Sequence, residues 1–588
     1  MERLDSAPGR DEILLHDAAS GRWLHFRQPV TVLTTGHEAE VLPLLEAVAR
    51  RIEQEGLHAA GFLAYEAAPG FDSALAVRAH DGSFPLLWFG LYPPPAAVTL
   101  PAELPPRPDL KWEPSITPAA YRVAFAEVKA QIAAGNTYQV NYSYRLHAPF
   151  NDDAWPLFRH LIRAQTAAYG AYVDTGDFVL CSASPELFFR LDGTSLSSRP
   201  MKGTARRALT WAEDEAQACR LQESEKNRAE NVMIVDMIRN DLGRVATVGS
   251  VHVPELFTVE RYPTVWQMTS TVTAASTAGL PAIFQALFPC ASITGAPKRS
   301  TMQIIAGLED SPRQIYTGTI GYLAPGRRAQ FNVAIRTVLV DRAAGRATYG
   351  VGGGIVWDST GSGELAETAT KAQVLRAERP PFSLLETMLW TAEDGYFLLD
   401  YHLERLAQSA AYFGYPLDRA QIRARLAEAM KPAQAGKLRV RLLLHEDGDV
   451  TVERYPLTAR GDESSPRPVC LAPAPVDREN VFLYHKTTQR VVYEQALAAC
   501  PQADDVLLWN EAGEVTEACR ANVVVELGGE RLTPPVSSGL LAGTYRRHLL
   551  ETGQVREAVV RLADLERATG LWLINSVRGQ EPAVLIGR

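Results

Sequence analysis

A Pro-Pro pair at Pro380 and Pro381 limits the folding of this chain more than any other local feature. Each proline removes a backbone donor and restricts the residue before it. The helical pattern that leads into RAERPPFS, residues 376–383, therefore stops there, and the strand-like run FSLLETMLW begins a new unit. We expect two modules, 1–375 and 376–588. At roughly 150 residues per domain, 588 residues allow about four domain-sized units, so each module is long enough to bury a core of its own. A second proline-dense stretch, residues 92–114, reads as a surface connection without regular structure. Before the break lie the alternating LFFRLDG after Glu186 and the helical ENVMIVDMIRNDL from Glu230; after it come FLLDYHLERLAQSAAYFG, KLRVRLLLHEDGDV and ANVVVELGGERLTP. Strands and helices mix in both halves, so the fold class is α+β, and the pattern allows two independent enzymes in one polypeptide.

Composition removes several classes. With 46% hydrophobic and 22% charged residues the chain reads as globular throughout. Lys+Arg at 59 against Asp+Glu at 68 leaves a net charge of −9, which argues against nucleic-acid binding. No apolar run reaches the roughly 18 residues of a membrane span, and MERLDSAPGRDE lacks the apolar stretch of a secretory signal. Six scattered cysteines form no CxxC pair, so neither a disulfide framework nor a zinc site is expected. No period of about 20–50 residues repeats. The expected location is the cytoplasm.

In the first module, the helix of SEKNRAENVMIVDMIRNDLGRV places Glu230 one turn from Asn227 and on the side of Ile234. A lone glutamate there is ordinarily solvated. GVGGGIVWDSTGSGELAETATKA, however, leads into a second helix with Glu364, Glu367 and Lys371 on one face. Two acidic helices facing a cleft suit Mg²⁺, a cation that takes oxygen ligands and keeps open positions for water and substrate. A plain Glu367–Lys371 surface pair remains the simpler reading of that helix. CASITGAPKRSTMQII ends a polar turn at Gly295-Ala296-Pro297 with the proline near the first helical position, where free N–H groups can hold an anion; turn chemistry explains it equally well. SSRPMKGTARR places Lys202 in a basic loop, most simply as a surface lysine.

Taken together and in order, SASPELFFR, RPMKGTARR, KNRAENVMIVDMIRNDLGRV, SITGAPKRSTMQII, QIYTGTIGYL, FNVAIRTV and GGGIVWDS…ELAETATKA resemble the chorismate-utilising enzymes over about residues 121–372. The resemblance implies that family's fold for the front module. Anthranilate and isochorismate synthases typically carry alanine where MKGT has Lys202, so the likeness runs to the members that aminate chorismate to 4-amino-4-deoxychorismate. It implies that Lys202 adds to ring carbon C2 as the C4 hydroxyl departs, and that ammonia then attacks C4 and expels the lysine. The lysine can act only when uncharged, which calls for desolvation and neighbouring positive charge. Glu186 would be the general acid, protonated near neutral pH. Glu230 and Glu367 would hold Mg²⁺ against a substrate carboxylate, supported by Glu364 and Asn227. Tyr316 and Arg336 would grip the other carboxylate with backbone from Thr294-Gly295 and Gly352 to Gly354, Gly353 included, and Lys371 would add positive charge. Gln139 stands where water-using relatives carry a lysine base, and a neutral amide suits ammonia. Gln267 replaces a histidine common in the family, which leaves proton handling on that side open. FLAYEAAPGFD is similar to a family motif, but no leucine-leucine-glutamate-serine segment accompanies it, so feedback by tryptophan is not expected.

In the second module, VFLYHKTTQRVVYEQALAA reads as an alternating strand ending at Lys486, with Thr487 or Thr488 capping the helix that follows. Glu517 lies in a strand-turn-strand segment. Gly543 and Thr544 start a helix suited to a phosphate monoester. Asn575 and Ser576 end a strand, and Arg405 sits on an early helix. Lysine, acid, phosphate turn and arginine are the parts that pyridoxal 5'-phosphate requires. HLERL, HK, VTEACRANV, GLLAGTYR and NSVRG resemble fold-type IV pyridoxal-phosphate enzymes across about 382–588. By that resemblance Lys486 bonds the cofactor and moves protons, and Glu517 pairs with the pyridine nitrogen. It also implies that Arg405, the Gly543-Thr544 turn and Ser576 would hold the phosphate, with Asn575 a further cofactor-binding residue.

Adjacency of the two modules points to 4-aminobenzoate: amination of chorismate, then elimination of pyruvate. Three alternatives stay open: a transaminase using a 2-oxo acid, an anthranilate-forming front module, and one inactive module that docks a partner. No cysteine elbow with a histidine of the glutaminase type is present, so a separate glutamine amidotransferase subunit is expected to supply ammonia. Type IV resemblance also implies a homodimer through the second module.

Overall fold

The computed structural model describes residues 2–377, 379–431, 436–458 and 465–586. They divide into two compact units, Met1–Arg206 with Ala218–Pro380, and Arg207–Gln217 with Pro381–Arg588. Among the described residues no helix is long and apolar enough to cross a membrane.

The first unit is built on two large, mainly antiparallel sheets of 11 and 10 strands. In the first, Phe178–Ser184, Thr337–Asp341, Arg346–Ile355 and Gln139–Pro149 follow one another as neighbours; in the second, Met201–Arg206 lies at one end beside Val265–Ala275. Phe178–Ser184 and Thr337–Asp341 are buried on both faces and send alternate residues into two cores. One core accordingly joins Ile13, Val173, Leu180 and Leu339 of the first sheet to Phe62, Phe89, Phe189 and Phe331 of the second. A second core lies under Pro118–Ala133 and Ala154–Gln165 and includes Val128, Phe158 and Leu161.

Two helices matter for the site. Glu225–Gly243 starts at Ser224, whose side chain accepts the N–H of Asn227. It buries Ile234, Val235, Ile238 and Leu242, each contributing about 2 kcal/mol by removal of apolar surface from water. Gly361–Ala372 is capped by Thr360, which accepts the N–H of Gly363, and buries Glu364 and Thr368.

Several local expectations are corrected. Lys202 lies in the strand Met201–Arg206, not in a loop. The proline-dense stretch contains the short strand Ala96–Thr99, which pairs with Arg22–Phe26, because the residues between Pro95 and Pro101 keep their backbone donors. Gly295–Ala296 is extended and pairs with Gln139 and Val140, and the following helix, Lys298–Leu308, begins after Pro297 as its cap. Gly352 to Gly354 do stand near the end of a strand, Arg346–Ile355, opposite Ser143 to Asn141.

The second unit holds a four-stranded and an eight-stranded sheet. Leu384–Thr391 pairs with Lys437–Leu444 and packs its apolar face against the helices Leu399–Phe413 and Arg419–Ala429 through Leu384, Met388, Leu403, Leu406 and Ile422. Val469, Leu507, Val523 and Leu573 form a core of the larger sheet. Lys486 does not end a strand. The segment makes a short 3-10 turn, Val481–Leu483, and then runs along the start of Leu384–Thr391, where the N–H of Leu385 donates to the Lys486 carbonyl at 2.9 Å. The helix begins only at Val491, so neither Thr487 nor Thr488 caps it. Thr488 Oγ1 instead accepts the N–H of Ser383.

Candidate active sites

A cavity of about 360 Å³ opens in the first unit, lined among others by Glu186, Lys202, Asn227, Glu230, Gln267, Tyr316, Arg336, Glu364, Glu367 and Lys371. Residues from distant parts of the sequence thus converge on one space. Gln139, Thr294, Gly295 and Gly353 are not among the lining residues, although Gln139 adjoins the lining residue Gly354.

A β-bulge aims Lys202 at this space. The pairing between Met201–Arg206 and Val265–Ala275 loses register between Met201 and Thr204, and such an extra residue redirects a side chain. Gly203 takes φ +98, a backbone that favours glycine. Gln267 secures the bulge from the neighbouring strand: its Nε2 donates to the Gly203 carbonyl at 2.8 Å and its Oε1 accepts Thr204 Oγ1 at 3.0 Å. Asn231 Nδ2 donates to the Lys202 carbonyl at 3.3 Å. Lys202 Nζ, on a side chain 16% exposed, lies 3.6 Å from Glu230 Oε2, and Lys226 Nζ lies 3.9 Å from Glu230 Oε1. A Cβ added at Gly354 would fall 2.4 Å from Lys202 Nζ and 3.2 Å from Gln139 Nε2, so glycine there leaves room for the amine. Gln139 is fully buried, and neither atom of its amide has a hydrogen-bond partner.

Glu186 is buried, and its Oε1 accepts Ser292 Oγ at 2.7 Å. Burial pushes its carboxyl up to about 7 against the opposing pull of Ser292, the Met201 N–H, Lys202 and Lys371. A carboxyl in that range can carry a proton at neutral pH and release it.

The acidic corner has the chemistry of a hard-cation site. Glu364 is raised above the usual carboxyl range by burial and by Glu367; its Oε1 accepts Ser359 Oγ at 2.6 Å while its buried Oε2 has no partner. Lys371 holds Glu367 below that range, with Nζ 2.7 Å from Glu367 Oε1, and also donates to the Gly352 carbonyl at 3.0 Å. Among the described residues no group of three His, Cys, Asp or Glu forms a ready-made cage. Carboxylates from two helices with an orphaned oxygen among them therefore fit a cation such as Mg²⁺ that completes its shell with water and substrate oxygens.

Tyr316 and Arg336 also line the cavity. Arg336 has φ 51 and donates to Gln165 Oε1; burial lowers its guanidinium and raises the Tyr316 phenol. Gly350 lies under the Tyr316 ring, which a Cβ there would meet at 2.1 Å. Arg145 lies over the same ring, 5.2 Å from its centroid, and joins the buried pair Glu309–Arg313.

In the second unit Lys486 is pushed down to about 8 by burial and by Arg405 and Arg490. Glu517, buried in Val515–Ala518, is pushed up to about 7 by burial, while Tyr493 donates to its Oε1 at 2.8 Å and Asn522 to its Oε2 at 3.2 Å. Arg405 forms a double hydrogen bond to Glu386, Nε to Oε1 at 2.9 Å and Nη2 to Oε2 at 2.6 Å, and its Nη1 donates to the Ala542 carbonyl. That places the guanidinium beside the start of the helix Thr544–Glu551. A Cβ at Gly543 would fall 1.9 Å from Asn522 Oδ1. Asn575 Oδ1 accepts the N–H groups of Val577 and Arg578, and buried Ser576 donates to the Thr387 carbonyl at 3.4 Å. A buried amine of lowered basicity, a buried acid and a cationic helix start form one donor set, which fits pyridoxal phosphate.

Glu386, His402, Tyr493, Asn522, Ser292 and Gln267 make hydrogen bonds to the candidate site residues or their backbone, or to residues that do, contacts that the motifs did not point to. Glu386 had a signal: it shares a strand face with Leu384 and Met388, and a charge at a buried position calls for a partner. Burial raises that carboxyl, but Arg405 and His402 outweigh it and hold it at about 2; since burial also lowers His402, Arg405 is the ionic partner. Ser292 and Asn522 had no such signal, because a neutral polar residue fits many environments.

Residues 10–377 match the family described as chorismate binding enzyme, and residues 383–586 match amino-transferase class IV. Aminodeoxychorismate synthase component 1 of Salmonella typhimurium is 42% identical over 273 residues, 46% of this chain and 60% of that protein. The Escherichia coli protein of the same name is 41% identical over 262 residues, 44% of this chain and 57% of that protein. The chain therefore spans about 60% of the length of these relatives. Anthranilate synthase component I from Streptococcus pneumoniae superimposes with a TM-score of 0.53 at 23% identity, covering 64% of this chain and 94% of that one.

Proposed function

The chain belongs to the chorismate binding enzyme family, and on that premise we propose that it makes 4-aminobenzoate in two steps: the first unit aminates chorismate to 4-amino-4-deoxychorismate, and the second eliminates pyruvate. The observation that carries the reading is Lys202 Nζ on its bulge, 3.6 Å from Glu230 Oε2, in the cavity that Glu186 also lines.

In the first step the Lys202 lone pair adds to C2 of chorismate, the two conjugated ring double bonds shift toward C4, and the C4 hydroxyl leaves as water with the proton of Glu186. Ammonia then attacks C4, both double bonds return, the lysine leaves as a neutral amine, and the new C4 ammonium gives a proton back to Glu186. Gln139, neutral and unpartnered, offers a hydrogen bond to ammonia and no base to activate water. Magnesium supplies positive charge against one substrate carboxylate; Glu230 and Glu367 would hold it, with Glu364 and Asn227 in support. Tyr316 and Arg336 bind the other carboxylate.

In the second step pyridoxal phosphate supplies an electron sink for a substrate carbanion. Lys486 Nζ would bond the cofactor and then carry the proton, Glu517 would face the ring nitrogen, and Arg405, Gly543, Thr544, Asn575 and Ser576 would hold the phosphate. Ammonia comes from a separate glutamine amidotransferase subunit, as the name "component 1" of the relatives supports. The reading includes a cytoplasmic homodimer joined through the second unit, and six free cysteines fit a reducing compartment.

Incubating the protein with chorismate, ammonium, Mg²⁺ and pyridoxal phosphate tests both steps. The expected products are 4-aminobenzoate and pyruvate; anthranilate would overturn the first assignment. The class IV match favours one second reading, a transaminase. Consumption of a 2-oxo acid without pyruvate release would establish it. Borohydride reduction followed by peptide mapping should find the label on Lys486.

A further inference from the structure

Ser292 belongs to the cavity lining, yet neither carboxylate binding nor cation binding uses it. Its hydroxyl is committed elsewhere: Oγ donates to Glu186 Oε1 at 2.7 Å, and the Cys290 thiol lies 3.2 Å from the same Oγ. All three side chains are buried. The short 3-10 turn Ala291–Ile293 holds the serine, and Thr294 Oγ1 anchors the chain beyond it through the carbonyls of Cys290 and Ala291. On the other side, Ser184 Oγ donates to the Val333 carbonyl at 2.6 Å and the Val333 N–H donates to the Glu186 carbonyl at 3.0 Å, which fixes the backbone of the acid. Both partners of the serine–glutamate bond are therefore held from outside.

From this geometry we propose that Ser292 is a positioning residue for Glu186, holding Oε1 so that Oε2 carries the proton toward the departing hydroxyl, and stabilising the carboxylate that remains. The inference rests on the proposed amination of chorismate. A hydroxyl that donates to a carboxyl favours its ionised form. Other charged or titratable groups also face Glu186: Lys202 on Met201–Arg206, Lys371 on Gly361–Ala372, Arg336 after Arg328–Asn332, and Cys290 before the turn. Tyr262 reaches the adjacent Pro185 carbonyl at 3.5 Å. A substitution at 292 leaves the charged groups in place and changes only the Cys290 thiol contact besides, so a change in the titration of Glu186 reports the lost hydroxyl.

The experiment is the pH–rate profile of chorismate amination by the full chain at fixed free ammonia, for wild type, Ser292→Ala and Ser292→Thr. Glu186 must be protonated to act, so its ionisation sets the falling limb. Loss of one hydrogen bond to a charged group should move that limb up by about one pH unit in Ser292→Ala, and threonine should restore it. A limb unmoved in a folded Ser292→Ala protein would overturn the proposal. Carboxyl infrared titration of the full chain, with Glu186→Gln identifying the band, reads the same shift without turnover. If wild type does not aminate chorismate the functional reading fails, and the infrared shift still decides the role of Ser292.

Discussion

Replacing Gly354 with alanine separates the reactivity of Lys202 from the stability of the fold. The backbone at 354 is outside the left-handed region, so alanine adds no strain of its own. Its Cβ falls 2.4 Å from Lys202 Nζ, whereas ordinary contact begins at 3.4 Å. The amine must therefore retreat by about 1 Å, or turn to another rotamer. Because the displaced atom ends a flexible side chain, the cost to stability is about 1 kcal/mol or less. For catalysis, a reacting atom misplaced by about 1 Å costs on the order of 100-fold. We expect Gly354→Ala to retain its melting temperature within a few degrees while its kcat for chorismate amination falls about 100-fold. Chorismate consumption with ammonia, followed beside a thermal melt, reads both quantities. A folded variant with kcat within twofold of wild type would refute the claim that Lys202 reacts from the position beside Gly354.

Three further outcomes follow from the second unit. Glu386 at about 2 in the folded protein, against 4.5 when unfolded, gives stability that is complete above about pH 4.5 and is lost as pH falls toward 2; the difference is about 3 kcal/mol. Glu386→Gln should lower the denaturant midpoint of this unit at pH 7 and flatten its acid dependence, and an unchanged acid dependence would contradict the pairing with Arg405. Lys486 near 8 predicts that covalent uptake of pyridoxal phosphate accelerates as pH rises through 8, so stopped-flow absorbance showing no pH dependence between 7 and 9 would count against that environment. Gly543→Ala would force Asn522 away from Glu517, since the new Cβ lies 1.9 Å from Asn522 Oδ1. Cofactor affinity should drop at least 10-fold by equilibrium titration, and unchanged affinity would remove Gly543 from the phosphate site.

Order along the chain determined much of this protein. The Pro-Pro pair marks where one apolar pattern ends and another begins, and the helices bearing Glu230 and Glu367 are visible as periodicity because their buried faces repeat every turn. The candidate lysines and acids were legible as residue types in recognisable motifs. Their supports were not. Lys202 reads as a loop lysine because a bulge depends on register with Val265–Ala275, a strand some sixty residues away. Lys486 reads as a strand end because its neighbours alternate, whereas its backbone is held by the start of Leu384–Thr391. Glu386, Ser292 and Asn522 gain meaning only from what lies opposite them. Local pattern records which face of an element is apolar; hydrogen bonds and desolvation depend on atoms brought together across hundreds of residues, and only the tertiary structure decided those.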